Sequence, residues 1–99
     1  MSATDTAIID ELVTLLSHRD TDIRWKAACA LGACGDAAFE PLLKKLYDED
    51  PNVRVLSIWA LGRIGNSKAA GYLERFLHDE DSLIAIASEG ALSRLSRHN

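Results

Sequence analysis

The stretch DTDIRWKAACALGACG at residues 20–35 returns as DPNVRVLSIWALGRIG at residues 50–65 and, less closely, as DSLIAIASEGALSRLS at residues 81–96. Each copy starts with an aspartate, and the copies follow one another at about thirty residues, a period typical of helical repeat arrays. In such arrays a single unit cannot bury its apolar face, so neighbouring units must stack to form a core. The repeat therefore predicts a fold built from stacked helical units.

Within each copy, apolar or small residues recur at the spacing of one helix face. The aspartate that begins each copy can accept backbone N–H groups at a helix start. The glycine that ends each of the first two copies is suited to ending the helix. The pattern predicts one amphipathic helix per copy, which we call an A helix. The expected core positions of the first two A helices are Ile23, Ala27, Ala30, Leu31 and Cys34, followed by Val53, Ser57, Ala60, Leu61 and Ile64.

The segments between the copies have the same periodicity and predict a second set of helices, which we call B helices. We place them at residues 5–17, 36–47 and 67–78. No segment shows the alternation of a strand, and the predicted connections are short, as between packed helices. The sequence therefore predicts an all-α chain of about six helices in antiparallel pairs. The expected core positions of the B helices are Ile8, Leu12, Leu15 and Leu16; Phe39, Leu42, Leu43 and Leu46; and Leu73, Phe76 and Leu77.

The length of 99 residues is that of one domain. The repeat boundaries divide this domain into a half repeat at 1–19, a repeat at 20–49, a repeat at 50–80 and a capping half repeat at 81–99.

The composition is that of an ordinary soluble chain, with 47% hydrophobic and 26% charged residues. Eleven basic and fifteen acidic residues give a net charge of −4, and the basic residues are scattered along the chain. Without a basic stripe, nucleic acid is not an expected partner. No run approaches the roughly 18 apolar residues of a membrane span, so no membrane partner is expected either.

The two cysteines, Cys29 and Cys34, lie five positions apart on different faces of one predicted helix. Their spacing matches neither a redox CxxC pair nor a zinc knuckle. We interpret them as structural thiols. Together with a start that has no basic region ahead of an apolar stretch, they favour a cytoplasmic location.

The segments DIRWKAACALGACGD and NVRVLSIWALGRIGN resemble the characteristic helix of HEAT-like repeats of the phycobilisome (PBS) lyase type, in which VR is followed by AA, ALG and IG. The resemblance covers nearly the whole chain. It implies an armadillo-type fold, namely a short right-handed α-solenoid. It also implies an alternative role as an accessory factor in attaching a phycobilin chromophore.

The resemblance implies that an aspartate before the A helix and an arginine within it form a ladder of polar contacts between successive units. The third copy departs from the pattern because Ala85 stands in the place of the arginine, and Ser93 and Ser96 replace the two glycines. This departure predicts a terminal cap. We therefore interpret the matching residues as this structural ladder and not as a charged catalytic cluster. They are Asp20, Arg24, Asp50, Arg54 and Asp81.

No residue pattern indicates catalysis. Some relatives bind two metal ions through His-Glu dipeptides, but this sequence has no such dipeptide, and its histidines are His18, His78 and His98. No serine has a positioned histidine nearby in sequence, and no glycine-rich loop follows a strand. We therefore expect no enzyme activity, no catalytic residue, no cofactor and no metal site.

Two surfaces are candidates for binding another protein. On a helical wheel, Trp25 points away from the core face of its A helix, and Val55, Trp59 and Ile86 continue an apolar stripe across the next A helices. Tryptophan is enriched at binding hot spots, so the stripe indicates an association surface. The alternative is that these indoles lie flat against adjacent helices.

The second candidate is the outward face of the B helices, which is concave in arrays of this type. Its mixture of basic, aromatic and acidic side chains suits a peptide or protein better than a phosphate, and an ordinary solvated face is the alternative. Its candidate binding residues are Lys44, Tyr47, Tyr72, Arg75 and His78.

The sequence thus predicts a non-catalytic scaffold or adaptor that binds another protein. Self-association is a further possibility, because a short array leaves apolar ends. The side chains expected at those ends are Val13, Leu15, Leu83 and Ile86.

Overall fold

A computed structural model of the chain describes residues 3–97, and these contain helices and turns but no strand. The prediction of an all-α fold is confirmed. Two 3-10 turns, Gly35–Ala38 and Ser67–Ala69, lead into the third and fifth helices. The α-helices are α1 Ala3–Leu15, α2 Thr21–Cys34, α3 Phe39–Lys45, α4 Pro51–Ile64, α5 Ala70–Glu74 and α6 Ser82–Arg97.

The A helices α2, α4 and α6 form one layer in which α4 lies between α2 and α6 and packs against both. On the other side, α1 packs against α2, α3 against α4, and α5 against α6. A single apolar cluster runs between the two sets of helices, and leucines fill it. The fully buried leucines are Leu16, Leu31, Leu42, Leu46, Leu61 and Leu73.

The A helices approach one another closely at Gly32 and Gly62. A Cβ atom added at Gly62 of α4 would lie 3.0 Å from both the Cα and the Cβ of Ala91 in α6. A Cβ added at Gly32 of α2 would lie 3.0 Å from the Cβ of Arg63 in α4. The ALG sequence of the repeat therefore serves the contact between successive A helices.

We expect Gly62→Ala to lower the free energy of unfolding by about 1 kcal/mol, because the cost of overpacking against the α6 backbone exceeds the gain in helix propensity. Gly90→Ala is the matched control, since a Cβ at Gly90 meets no atom within 4 Å. That substitution is expected to raise the free energy of unfolding by up to about 1 kcal/mol. Urea unfolding of both variants tests the pair, and a stabilised Gly62→Ala protein would contradict the close approach.

Each A helix is capped by the aspartate that precedes it. The carboxylate accepts the backbone N–H two residues later, which satisfies one of the free donors at the helix start. Asp20 and Asp50 have extended backbone, as N-cap residues do. The acceptors are Asp20, Asp50 and Asp81, and the donors are the N–H groups of Asp22, Asn52 and Leu83, at 2.8, 2.9 and 2.9 Å.

The repeated arginines bind to the backbone of the connection that precedes their helix. Arg24 donates from Nη1 to the carbonyl oxygen of His18 at 2.7 Å. Arg54 donates in the same way to the carbonyl oxygen of Asp48, also at 2.7 Å. Each arginine side chain thus connects its A helix to the segment that precedes it, by a hydrogen bond to a backbone carbonyl group.

A second acceptor lies two residues before each capping aspartate. The carboxylates of Asp48 and Asp79 and the Nδ1 atom of His18 each accept the backbone N–H of that aspartate, at 2.8–3.0 Å. The hydrogen bond from the backbone of Asp50 is the main cause that lowers the pKa of Asp48. Partial burial opposes this effect, and the nearby ammonium of Lys45 reinforces it.

Because the pKa of Asp48 is lower in the folded state than in the unfolded chain, its stabilising effect is present above about pH 4 and is lost at lower pH. Asp48→Asn keeps an acceptor oxygen for the Asp50 N–H but cannot ionise. We expect the variant to be less stable than the wild-type protein at neutral pH, with the difference shrinking as the pH falls below about 4. Urea unfolding across that range measures the difference, and a difference independent of pH would contradict the assignment.

The second and third B helices are shorter than the sequence predicts, and α1 lies two residues earlier than its predicted range of 5–17. The segment 36–47 begins as a 3-10 turn before α3, and only five residues of 67–78 form α5. The chain after α1, α3 and α5 closes with hydrogen bonds to the third residue back, as in Phe76 N–H to the Leu73 carbonyl at 3.0 Å. Such 3-10 turns tighten the end of a helix, and here they lead directly into the capped connection.

Some predicted core positions are wrong. Ile8 is 49% exposed, whereas Ile9 is buried with 3% exposure, so Ile9 occupies the core position predicted for Ile8. Cys34 is exposed at the end of α2. Conversely, Ile58 is fully buried although it was not among the expected core positions. The reason is that α4 has neighbours on both sides, which buries a wider arc than one helix face.

Candidate protein-binding surfaces

Trp25 of α2 and Trp59 of α4 come into direct contact. Their ring centroids are 4.4 Å apart and the rings are tilted by 49°. The guanidinium carbon of Arg63 lies 5.5 Å from the centroid of Trp59, a cation–π contact between residues one helical turn apart. Trp25 remains 44% exposed, while Trp59 is half-buried and packs against the core.

A shallow groove of about 270 Å³ lies beside Trp25, where the first turns of α2, α4 and α6 meet. The volume is below the usual 300–1,000 Å³ of small-molecule pockets, so the groove suits individual side chains of a partner. We call Trp25, Val55, Leu56, Trp59 and Leu83 the tryptophan surface. The groove is lined by Thr21, Arg24, Trp25, Asn52, Val55, Leu56 and Leu83.

The structure brings Trp25, Val55 and Trp59 of the predicted stripe together, whereas Ile86 is 65% exposed and does not line the groove. Trp25 is exposed, as an association surface requires, whereas Val55 and Trp59 are half-buried against the core. Leu56 belongs to the groove and was absent from the stripe. The spacing of Trp59 and Arg63 by four residues was the sequence signal for their contact. Trp25 and Leu83 are therefore the residues of this surface that a substitution can test with the least disturbance of the core.

On the opposite set of helices, Tyr47, Tyr72 and Arg75 form a second group, which we call the tyrosine–arginine cluster. Arg75 follows the last residue of α5 and donates from Nη1 to the phenol oxygen of Tyr47 at 3.1 Å. Its guanidinium carbon lies 5.9 Å from the ring centroid of Tyr72. The Tyr47 ring packs at 6.0 Å from Phe76, which belongs to the core. Tyr47 is 58% exposed and Tyr72 39% exposed.

The other predicted binding residues of the B side make no hydrogen bond or ring contact with this cluster. Lys44 and His78 are exposed, and neither makes a side-chain hydrogen bond or ion pair with another described residue. His98 lies outside the described residues. Within residues 3–97, the His, Cys, Asp and Glu side chains nowhere gather in a group of three that could hold a metal ion. The thiols of Cys29 and Cys34 are both free.

No helix in the described part of the chain combines the length and apolar character needed to cross a membrane.

Comparison with known proteins identifies the type of repeat. In a comparison with curated proteins, none matches the chain. The family model described as HEAT repeats matches residues 9–93, which include most of α1 and all the helices from α2 to α5. The caps, the terminal glycines and the close contacts between A helices recur within that span with the same period. The chain belongs to the HEAT repeat family.

Proposed function

We propose that this protein is a non-catalytic scaffold that binds another protein through the tryptophan surface. HEAT repeats are commonly protein-interaction scaffolds, which supports a binding role. The observation that carries the proposal is the exposed indole of Trp25, which rests on Trp59 at the edge of an apolar groove. A large aromatic side chain beside a groove is the usual form of an interface anchor.

The physical case rests on how the indole is held. The contact with Trp59 restricts the orientation of the Trp25 ring before any partner arrives, so little conformational entropy is lost on binding. Leu83 of α6, which is 65% exposed, extends the apolar area across the groove. A partner helix or loop with one or two apolar side chains would bury both residues at once.

Several finer features belong to the same proposal. The repeats stack as a right-handed solenoid of antiparallel helix pairs, as the resemblance to the phycobilisome-lyase type implies. The protein is cytoplasmic, which suits its two free thiols. Its net charge of −4 is consistent with a protein partner rather than a nucleic acid. No feature of residues 3–97 favours the alternative role in phycobilin attachment, which depends on the resemblance alone.

Trp25→Ser is expected to weaken capture of the partner by about 30-fold or more, as truncation of a hot-spot residue does. The fold should persist, because the loss of an aromatic pair at a half-exposed site costs about 0.5–1.5 kcal/mol. The measurement is a cross-linked pull-down from a lysate of the source organism, with captured proteins quantified by mass spectrometry. Circular dichroism verifies that the variant is folded.

Ile8→Ser is the matched control, because Ile8 is also an exposed apolar residue but lies on α1. A partner captured by the wild-type protein and by Ile8→Ser, but not by Trp25→Ser, supports the proposal. Capture of the partner by Trp25→Ser at the level of the wild type and of Ile8→Ser would refute it. If only the bait's own chain is recovered, light scattering decides whether the tryptophan surface joins two copies of this protein.

A further inference from the structure

The groove of the tryptophan surface lies against the carboxylates that cap the A helices. Leu83 lines the groove and donates its backbone N–H to the carboxylate of Asp81 at 2.9 Å. Asn52 also lines the groove and donates in the same way to Asp50 at 2.9 Å. Asp20 occupies the equivalent place at the start of α2. The apolar groove therefore has carboxylates along its edge, one at the start of each A helix.

The connection into α6 contributes the most negative charge to this edge. Residues 79–81 are Asp, Glu and Asp, three consecutive acidic residues. In the preceding connection, Lys45 pairs with the first acidic residue at 3.4 Å, and Arg54 donates to two backbone carbonyl groups. The last unit has Phe76 and Ala85 in the places of these two cations. Its connection therefore carries the same acidic residues without the cations that accompany them in the unit before.

The only cation that lines the groove lies at its other end. Arg24 belongs to α2, which is separated from α6 by α4. Its guanidinium donates to the carbonyl oxygens of His18 and Arg19, so it is held in the connection that precedes α2. The side of the groove formed by Leu83 is therefore both apolar and negatively charged.

We infer that the groove binds a basic amphipathic segment of the partner protein. An apolar side chain of that segment enters beside Trp25 and Leu83, and a neighbouring Lys or Arg lies against the carboxylates of residues 79–81. The volume of about 270 Å³ suits one or two apolar side chains. Complementary charges at the rim of an interface steer the encounter and select the partner. The inference rests on the proposed function, because it names the chemistry of the partner at the same surface.

The charge of the groove edge discriminates among the other occupants. An acidic segment would bring like charges to the carboxylates of residues 79–81, and the net charge of the chain, −4, opposes it as well. A nucleic acid would meet the same carboxylates and needs several cations along its backbone. An uncharged apolar segment would fill the groove without using these charges, so the salt dependence of binding separates it from a basic one.

The test is selection of short random peptides by phage display on the immobilised wild-type protein. Selected peptides should contain a large apolar residue with Lys or Arg close to it in sequence. Synthetic copies in which the basic residues are replaced by Gln should bind about 10-fold more weakly, as judged by fluorescence anisotropy, because the charge pairs at the rim are lost. Affinity of the unaltered peptides should also fall as salt is added.

Variants of the protein locate the site. The triple variant Asp79→Asn/Glu80→Gln/Asp81→Asn keeps an oxygen acceptor for the backbone N–H groups of Asp81 and Leu83, so the start of α6 stays capped. It should bind the selected peptides about 10-fold more weakly, since several exposed ion pairs are lost together. Trp25→Ser should weaken binding by about 30-fold or more, because the apolar anchor is lost. Circular dichroism verifies that both variants are folded.

The matched control removes the same amount of charge from the other side of the molecule. Asp10, Glu11 and Glu40 are exposed carboxylates of α1 and α3. The variant Asp10→Asn/Glu11→Gln/Glu40→Gln should bind the peptides within about 2-fold of the wild-type affinity, because salt screens charges that do not touch the ligand.

Three results would overturn the inference: no peptide selected, selected peptides without enrichment in Lys or Arg, or basic peptides that bind the triple variant of residues 79–81 as tightly as the wild type. Uncharged peptides that depend on Trp25 would leave the proposed function standing and remove only this inference. Basic peptides that bind Trp25→Ser with wild-type affinity would also overturn it, because they would use carboxylates outside the groove. In that case the pull-down with Trp25→Ser decides the proposed function separately.

Discussion

The packing of α4 between α2 and α6 is the constraint on which the rest of the structure depends. None of these helices can bury its apolar residues alone, and α4 buries an arc that includes Val53, Ile58 and Leu61 only because it has a neighbour on each side. The glycine of the ALG sequence permits this closeness, since a side chain at Gly62 would meet the backbone of Ala91. The stability of the array and the spacing of its surface residues both follow from that contact.

The connections between B and A helices set how each unit is placed on the next. In each, an aspartate caps the A helix and a second acceptor holds that aspartate's own N–H. Arg24 and Arg54 add hydrogen bonds to the carbonyl groups of the same connections. Because these bonds satisfy backbone groups that helix ends leave free, the connections are ordered without contributing to the apolar core. The repeated aspartates and arginines therefore order the connections between helices.

The repeat also explains why the two candidate surfaces lie where they do. Successive units lie side by side, so Trp25 of α2 contacts Trp59 of α4, which is one helical turn beyond the equivalent position Val55. Tyr47 and Arg75 meet across successive B helices for the same reason. One surface is apolar and shallow, and the other holds Arg75, which donates to the phenol oxygen of Tyr47 and lies beside the Tyr72 ring.

The sequence by itself determined the period, the all-α class, the HEAT resemblance and the capped starts and glycine ends of the A helices, because these depend on spacing and on local backbone chemistry. It also placed Trp25 on the outer side of its helix. Only the tertiary structure decided that Ile9 rather than Ile8 faces the core, that Trp59 is half-buried, and that α5 ends after five residues. It alone joined Tyr47 to Arg75. The physical reason is that periodicity defines the faces of a helix, whereas burial depends on which neighbours approach those faces and how closely.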